Sequence, residues 1–396
     1  MQETLHKIKE ELRTELTGNI LPFWMEAMTD SVHGGFFGRR TGTGSLDPDA
    51  PKGAILNARI LWTFSSAALH LKEERYRVFA EWTKDYIFKH FFDEEFGGTY
   101  WLLHSDGSLA DTKKQIYSQA FFIYALVEYY RLTDDPECLN KAKELFLQIE
   151  MHSFDSAQNG YLEAFDRKWS LLKDLRLSDK DANEKKTMNT HLHILEAYTN
   201  LYRVWKDDGL KTQLKNLIEL FLKRIVNPVT HHLNLFFDED WTCKSTLVSY
   251  GHDIEASWLL DEAAVVLGDS ELLVSVRAES MRIAEAALEG LQQDGSLINE
   301  RNTATGHTDW NRDWWPQAEA VVGFWNAWTI SGDAAWSDRS LKSWTFIQQN
   351  LLDPENGEWF WAVSEKGEPD RDHDKAGFWK CPYHNSRMCL EMLKRL

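Results

Sequence analysis

Two kinds of apolar stretch alternate along the chain. Residues 73–92, 136–154 and 210–226 carry apolar side chains at i, i+3, i+4 and i+7, which predicts helices with one wet face. Residues 54–71, 116–132, 255–268 and 316–330 are apolar on most sides, which predicts helices shielded by neighbours. Short breakers separate the two kinds, such as TDDP at 133–136 and SGDAAW at 331–336.

A third pattern recurs between these pairs. SVHGGFFGRR (31–40), EEFGGTYWLL (94–103), SAQNGYLEAF (156–165), THHLNLFFDE (230–239), LQQDGSLINE (291–300) and PENGEWFWAV (354–363) each read as a polar turn followed by alternating aromatic or apolar residues. Marked at Gly35, Gly98, Gly160, Leu233, Gly295 and Gly357, they are spaced by 63, 62, 73, 62 and 62 residues. A period this regular is the signature of a repeat architecture. Each period holds one shielded helix, one amphipathic helix and one aromatic turn. Six such hairpins closed into a ring bury the shielded set, so the expected fold is all-α: an (α/α)6 barrel formed by residues 1–396 as a single domain. An open solenoid would need polar capping repeats, and neither end reads as one. The long third step reflects a charged insertion at 166–186, expected as a loop over the ring's mouth.

Composition narrows the partners. A net charge of -18 opposes nucleic acid and anionic membrane surfaces. No apolar run is long enough to span a bilayer, and the opening MQETLHKIKEELRTEL lacks the pattern of a signal peptide. Cys138, Cys243, Cys381 and Cys389 show no paired spacing, which fits a reducing cytoplasm. Nothing reads as an obligate interface, so a monomer or weak homodimer is expected. The 18 Trp residues suit a packed core or a platform for sugar rings, and position decides between the two.

Equivalent positions past each turn lie at one end of such a ring. There the sequence places Arg59, Tyr117, Asn189 with His193, His252, Trp315 and His384, polar or aromatic residues at the entrances of apolar inner helices. Asn189 and His193 are i, i+4 and share a helix face, while His191 points elsewhere. His252, Glu255 and Trp258 follow Gly251, with His252 expected in the first helical turn. Trp314 and Trp315 precede Pro316, a helix-starting residue, and Glu319 lies one turn on. Trp379 and His384 flank Pro382, with Arg387 one turn further. Packing of helix starts is the plain alternative for each, and the shared phase favours one cavity. No HxH or HxxxH pair unites two of His193, His252 and His384, so no metal site is expected.

NARILW (57–62), MNTHLHILEAY (188–198), SYGHDIEASWLL (249–260), WWPQAEAVVGF (314–324) and WKCPYHN (379–385) resemble the N-acylglucosamine 2-epimerase superfamily, nearer its disaccharide-acting branch. The resemblance spans almost the whole chain and implies the same (α/α)6 fold. It implies His252 and His384 as acid/base residues, with Arg59, Asn189 and His193 holding the C1 and C2 oxygens. Tyr117 would line the cavity, Trp379 and Trp315 would pack on the first and second sugar, Glu255 would support His252, and Asp181 would contact the distal sugar. Trp314 and Glu319 complete the expected substrate-binding set. The implied reaction inverts C2 of the reducing-end glucose of a β-1,4-linked disaccharide such as cellobiose, lactose or mannobiose, through an enediolate. It requires no metal, nucleotide or redox carrier. The alternatives are a monosaccharide or N-acyl-sugar epimerase or isomerase, a glycoside hydrolase working through paired carboxylates, and a non-catalytic sugar-binding protein.

Overall fold

The computed structural model describes residues 2–396. Its twelve α-helices are α1 (Gln2–Glu15, carried on in wider turns to Ala27), α2 (Ala54–Leu71), α3 (Glu74–His90), α4 (Ile116–Thr133), α5 (Pro136–His152), α6 (Met188–Val204), α7 (Asp208–Leu220), α8 (Tyr250–Leu267), α9 (Ser270–Ala287), α10 (Trp314–Ser331), α11 (Ala334–Asn350) and α12 (Tyr383–Arg395). The even-numbered helices close an inner ring, α2 on α4 and onward to α12, which packs back on α2. Each odd helix from α3 to α11 covers the inner helix before it, and α1 covers α12. The fold is therefore the (α/α)6 barrel, with one correction to six consecutive hairpins: the sixth pair joins the two ends of the chain.

Burial explains the two kinds of apolar stretch. Every residue of α2 from Ala54 to Ala68 is buried, whereas α3 buries only Tyr76, Ala80, Thr83, Tyr86 and Ile87. Inner helices turn into outer ones through a left-handed residue at Lys72, Asp134, Gly268 or Gly332, the usual way to end a helix sharply. Asp135, Asp207, Asp269 and Asp333 then cap α5, α7, α9 and α11 by accepting first-turn amides.

The aromatic repeats are more than turns. Each outer helix is followed by a bridged turn, for example Phe92 with Thr99, Phe154 with Tyr161 and Leu352 with Trp359. Beyond it, short antiparallel pairs tie successive repeats together: Lys52–Gly53 with Leu102–Leu103, Lys114–Gln115 with Ala164–Phe165, Lys186–Thr187 with Phe236–Phe237, and Arg312–Asp313 with Ala362–Val363. Alternation with period two is the strand signal, and these strands form a belt around one end of the barrel. At Gly160 a positive φ of 85° and close packing coincide, since a Cβ would lie 2.3 Å from the Trp241 ring.

One helix start meets the sequence reading and one departs from it. α8 begins at Tyr250, ahead of the apolar run from 255, which puts His252 in its first turn. Trp314 and Trp315 open α10, so Pro316 is its third residue rather than its first. No helix among the described residues is long and apolar enough to cross a membrane.

Candidate active site

All six inner helices point their N-termini at the belted end. Tyr117, Asn189, His252, Trp315 and His384 fall within the first three residues of α4, α6, α8, α10 and α12. Arg59, His193, Glu255, Glu319 and Arg387 lie about one turn deeper. Residues four apart share a helix face, so the first group forms a wall and the second a floor.

A cavity of about 160 Å³ is lined by Arg59, Tyr117, Asn189, His193, His252, Glu255, Trp315, Trp379 and His384. It adjoins an outer vestibule of about 360 Å³ that shares Asn189, His252 and Trp315. Part of the 166–186 insertion walls this vestibule, including Asp181, whose Oδ2 accepts from the Ser178 amide at 2.8 Å and its hydroxyl at 2.9 Å. Two expected substrate contacts lie elsewhere. Trp314 is buried behind His384, packed on Trp361 at 4.6 Å and on the Lys380 ammonium at 5.1 Å. Adjacent residues on a helix point about 100° apart, so only Trp315 reaches the cavity. Glu319 lies outside the lining and bonds to other site residues.

Each histidine has its Nδ1 tied. His384 Nδ1 is 2.7 Å from Glu319 Oε1, His193 Nδ1 is 3.0 Å from Glu196 Oε2, and His252 Nδ1 is 2.8 Å from the Ser249 hydroxyl. The partner of His252 is thus Ser249, not Glu255. Arg387 Nη2 donates to Glu255 and Glu319, each at 2.6 Å, and its Nη1 donates to Glu196 and the Tyr383 hydroxyl. Trp258 Nε1 also donates to Glu319, at 3.0 Å. Arg59 Nη2 donates to the Tyr117 hydroxyl at 2.8 Å, and its guanidinium stacks over Phe121 and Tyr383.

Burial governs the charges. It pushes His252 down to about 3, helped by His193, and holds His384 well below the usual imidazole range, helped by Arg59 and Arg387. His193 is lowered by burial too, against the pull of Glu196. Burial and then Glu319 push Glu255 up to about 8, against Arg387. Glu196 resists burial, because Arg387 and His193 hold it at about 2.

Glu255, Glu319 and His384 offer ligand atoms within 4.8 Å of one another, close enough for a cation. The Arg387 guanidinium bonds both of those carboxylates and already serves as their counter-ion.

Sequence reasoning missed Glu196, Ser249 and Tyr383, and placed Arg387 one turn beyond His384 without a role. Glu196 follows His193 by three residues and Ser249 precedes His252 by three, so helical spacing held a signal for both. The Glu319–His384 contact crosses 65 residues and two helices, beyond any local pattern.

The family model for N-acylglucosamine 2-epimerase (GlcNAc 2-epimerase) matches residues 35–386. Cellobiose 2-epimerase of Bacteroides fragilis is 56% identical over 386 residues, covering 98% of each chain. The solved cellobiose 2-epimerase of Bacillus thermoamylovorans superposes with a TM-score of 0.94 at 40% identity, covering 99% of this chain and 100% of that one. A D-mannose isomerase structure shares the fold, with a TM-score of 0.85 at 19% identity, covering 98% of each chain.

Proposed function

From a chain that belongs to the N-acylglucosamine 2-epimerase family, and is therefore a carbohydrate 2-epimerase, we propose an enzyme that inverts C2 of the reducing-end glucose of a β-1,4-linked disaccharide. Cellobiose is the reference substrate, with lactose and mannobiose in the same class. The observation that carries this reading is the pair of buried imidazoles, His252 and His384, in one cavity with tied Nδ1 atoms. The vestibule supports a disaccharide over a monosaccharide, since it gives a second ring room beside Trp315. The names of the relatives support the same choice.

Opening of the sugar ring exposes an aldehyde at C1 and acidifies the C2 proton. A neutral imidazole suits its removal near pH 7, and burial keeps both histidines neutral there. The enediolate needs preorganised donors; Arg59 and the convergent helix N-termini supply them. His193, with Nδ1 donating to Glu196, presents Nε2 as an acceptor for a C1 or C2 hydroxyl, alongside Asn189. Trp379 packs on the reducing-end ring and Trp315 on the second.

Inversion also needs a proton to return. Glu196, Glu255, Glu319, Arg59 and Arg387 together carry three negative and two positive formal charges. One bound proton neutralises the set, and burial raises both Glu255 and Glu319, the carboxyls between which it is shared through Arg387. In one direction His252 takes the C2 proton. His384 gives its Nε2 proton to the other face, while Glu319 restores one at Nδ1. The reverse reaction exchanges the roles, and solvent resets the pair between turnovers. The route uses no metal, nucleotide or redox carrier. Proton return at C1 instead would give a ketose as a side product. We further place the enzyme in the cytoplasm as a monomer or weak homodimer without nucleic-acid or membrane partners; the net charge of -18 supports the last point, and cysteines without paired spacing support the first.

Incubation of chelator-treated protein with cellobiose in deuterated water, followed by NMR, tests this directly. The expected product keeps its glycosidic bond and carries deuterium at a mannose-type C2. His252→Ala and His384→Ala are each expected to abolish turnover while sugar binding persists. Unchanged rates in either variant, or release of free glucose, would sink the assignment.

A further inference from the structure

The vestibule has electrostatics of its own. Its wall holds six carboxylate residues, Glu163, Asp181, Glu184, Glu300, Asp309 and Asp313, against two cations, Arg176 and Lys180. Arg176 is committed to Asp174, at 2.7 Å. Several of the acids are satisfied within the protein. Glu163 accepts from the Thr187 amide at 2.7 Å, Asp181 from Ser178, and Asp309 from Asn299 Nδ2 at 2.9 Å.

Asp313 differs. It is the N-cap of α10, where an Asp carboxylate normally accepts first-turn amides. Asp135, Asp207, Asp269 and Asp333 all do so at the outer helices. Asp313 makes no such cap, and among the described residues its carboxylate has neither a hydrogen-bond donor nor an ion-pair partner. It lines the vestibule instead, beside the proposed second-sugar position at Trp315. Burial and Asp309 push its pKa up to about 7; Lys180, His373 and Asp370 are the other charged groups that act on it. Among the described residues this carboxylate has no donor and no cation in contact with it, Lys180 and His373 acting only at a distance.

We infer that the vestibule selects its distal sugar by charge, with Asp313 as the determinant: a residue bearing an ammonium group is preferred to a neutral one, and a residue bearing a carboxylate is rejected. The inference rests on the disaccharide reading above. An ammonium brings three donors and a contacting counter-charge to Asp313. A uronate brings another like charge into a partly buried acidic space.

The test compares kcat/KM at pH 8 for cellobiose, cellobiose carrying an amino group at C2 or at C6 of its non-reducing ring, and cellobiouronic acid. At least one amino compound is expected to exceed cellobiose by on the order of tenfold, and the uronate to fall below it by a similar factor. Asp313→Asn is expected to bring the amino-to-neutral ratio close to one. Quenching of tryptophan fluorescence gives the same ordering of affinities without turnover, so the ranking is read even where no product forms. Cellobiose left unturned would overturn the disaccharide reading. Cellobiose turned over or bound with both amino compounds no better than it, or with the uronate its equal, would overturn the charge selection alone. The wild-type ratios decide even where the variant does not fold.

Discussion

What a buried imidazole can do is set by the atom that holds its Nδ1. Glu319 is an ionisable partner for His384, whereas Ser249 is a neutral one for His252 that can accept or donate. Glu319→Gln removes the carboxyl that restores a proton to His384 and frees one bond of Arg387. It is expected to lower kcat about 100-fold with a smaller change in KM, as loss of an orienting carboxylate does. Ser249→Ala is expected to cost about tenfold in kcat. Steady-state rates on cellobiose measure both, and effects confined to KM would refute these positioning roles. The depressed pKa values carry a sign of their own. The neutral form is the base, so its loss on acidification is postponed, and the acid limb of kcat/KM is expected below pH 6. A limb centred at the ordinary imidazole value of about 6.5 would mean that the histidines are solvated in the working enzyme. At this scale the sequence identified wall residues by their common phase. It could not separate Trp314 from Trp315, because which of two neighbours faces inward depends on the tilt of α10. It gave Glu255 to His252 on proximity along one helix, and only the assembled ring reveals Arg387 as the centre where Glu196, Glu255 and Glu319 meet.

Between elements, one device recurs around the belt. Lys52 with Asp30, Lys114 with Asp93, Lys186 with Asp155 and Lys375 with Asp353 are buried or partly buried pairs at 2.6–2.9 Å, each linking the segment that leads into an inner helix to the preceding bridged turn. Lys52 also donates to the Gly34 carbonyl at 2.7 Å and lies over the Tyr86 ring. Lys52→Met strands the Asp30 charge and is expected to cost about 3 kcal/mol, because breaking a buried pair from one side leaves the other ion uncompensated. Adding Asp30→Asn should recover part of that loss in urea denaturation; no recovery would show that packing rather than charge is at stake. His191, the histidine on the other face of α6, is a structural element. Its Nδ1 lies 2.6 Å from the Thr187 carbonyl, and its Nε2 accepts the Tyr161 amide at 2.9 Å, which fixes a neutral ring. Burial lowers its pKa to about 4, so the unfolded chain binds the proton first on acidification. The stability it contributes is complete above about pH 6.5 and is lost as pH falls toward 4, by roughly 3 kcal/mol. Urea midpoints between pH 7 and 4 should fall more steeply in the wild type than in His191→Asn, and parallel curves would contradict this. Helices were legible from periodicity at this scale. The strands were legible only as alternation, since pairs two or three residues long need a partner some fifty residues away before they exist.

Across the whole molecule, the repeat fixed the number of inner helices and the common end of their site residues, because a constant period places equivalent positions at equivalent heights. A closed ring was legible but not the way it closes, since nothing in α1 or α12 alone reveals that the ends of the chain form the sixth pair. That pairing carries a consequence for activity. Leu12, Leu16, Ile20 and Trp24 of α1 are wholly buried. Glu15 accepts from Trp359 Nε1 at 2.8 Å, and Asn19 accepts the Glu358 amide at 2.7 Å. Glu358 in turn holds Lys380 and Asn385, on either side of the segment that presents His384. Removing residues 1–27 should therefore expose the outer face of α12 and loosen His384 and Arg387 together. A fragment of residues 28–396 is expected to lose both turnover and cooperative thermal unfolding. A synthetic peptide of residues 1–27 should restore part of each by refilling the same groove, in proportion to its concentration, as mass action requires. A fragment that melts and turns over like the full chain would mean that eleven helices suffice to close the ring. A fragment that folds cooperatively but stays inactive until the peptide is added would show that α1 acts mainly by setting the position of His384.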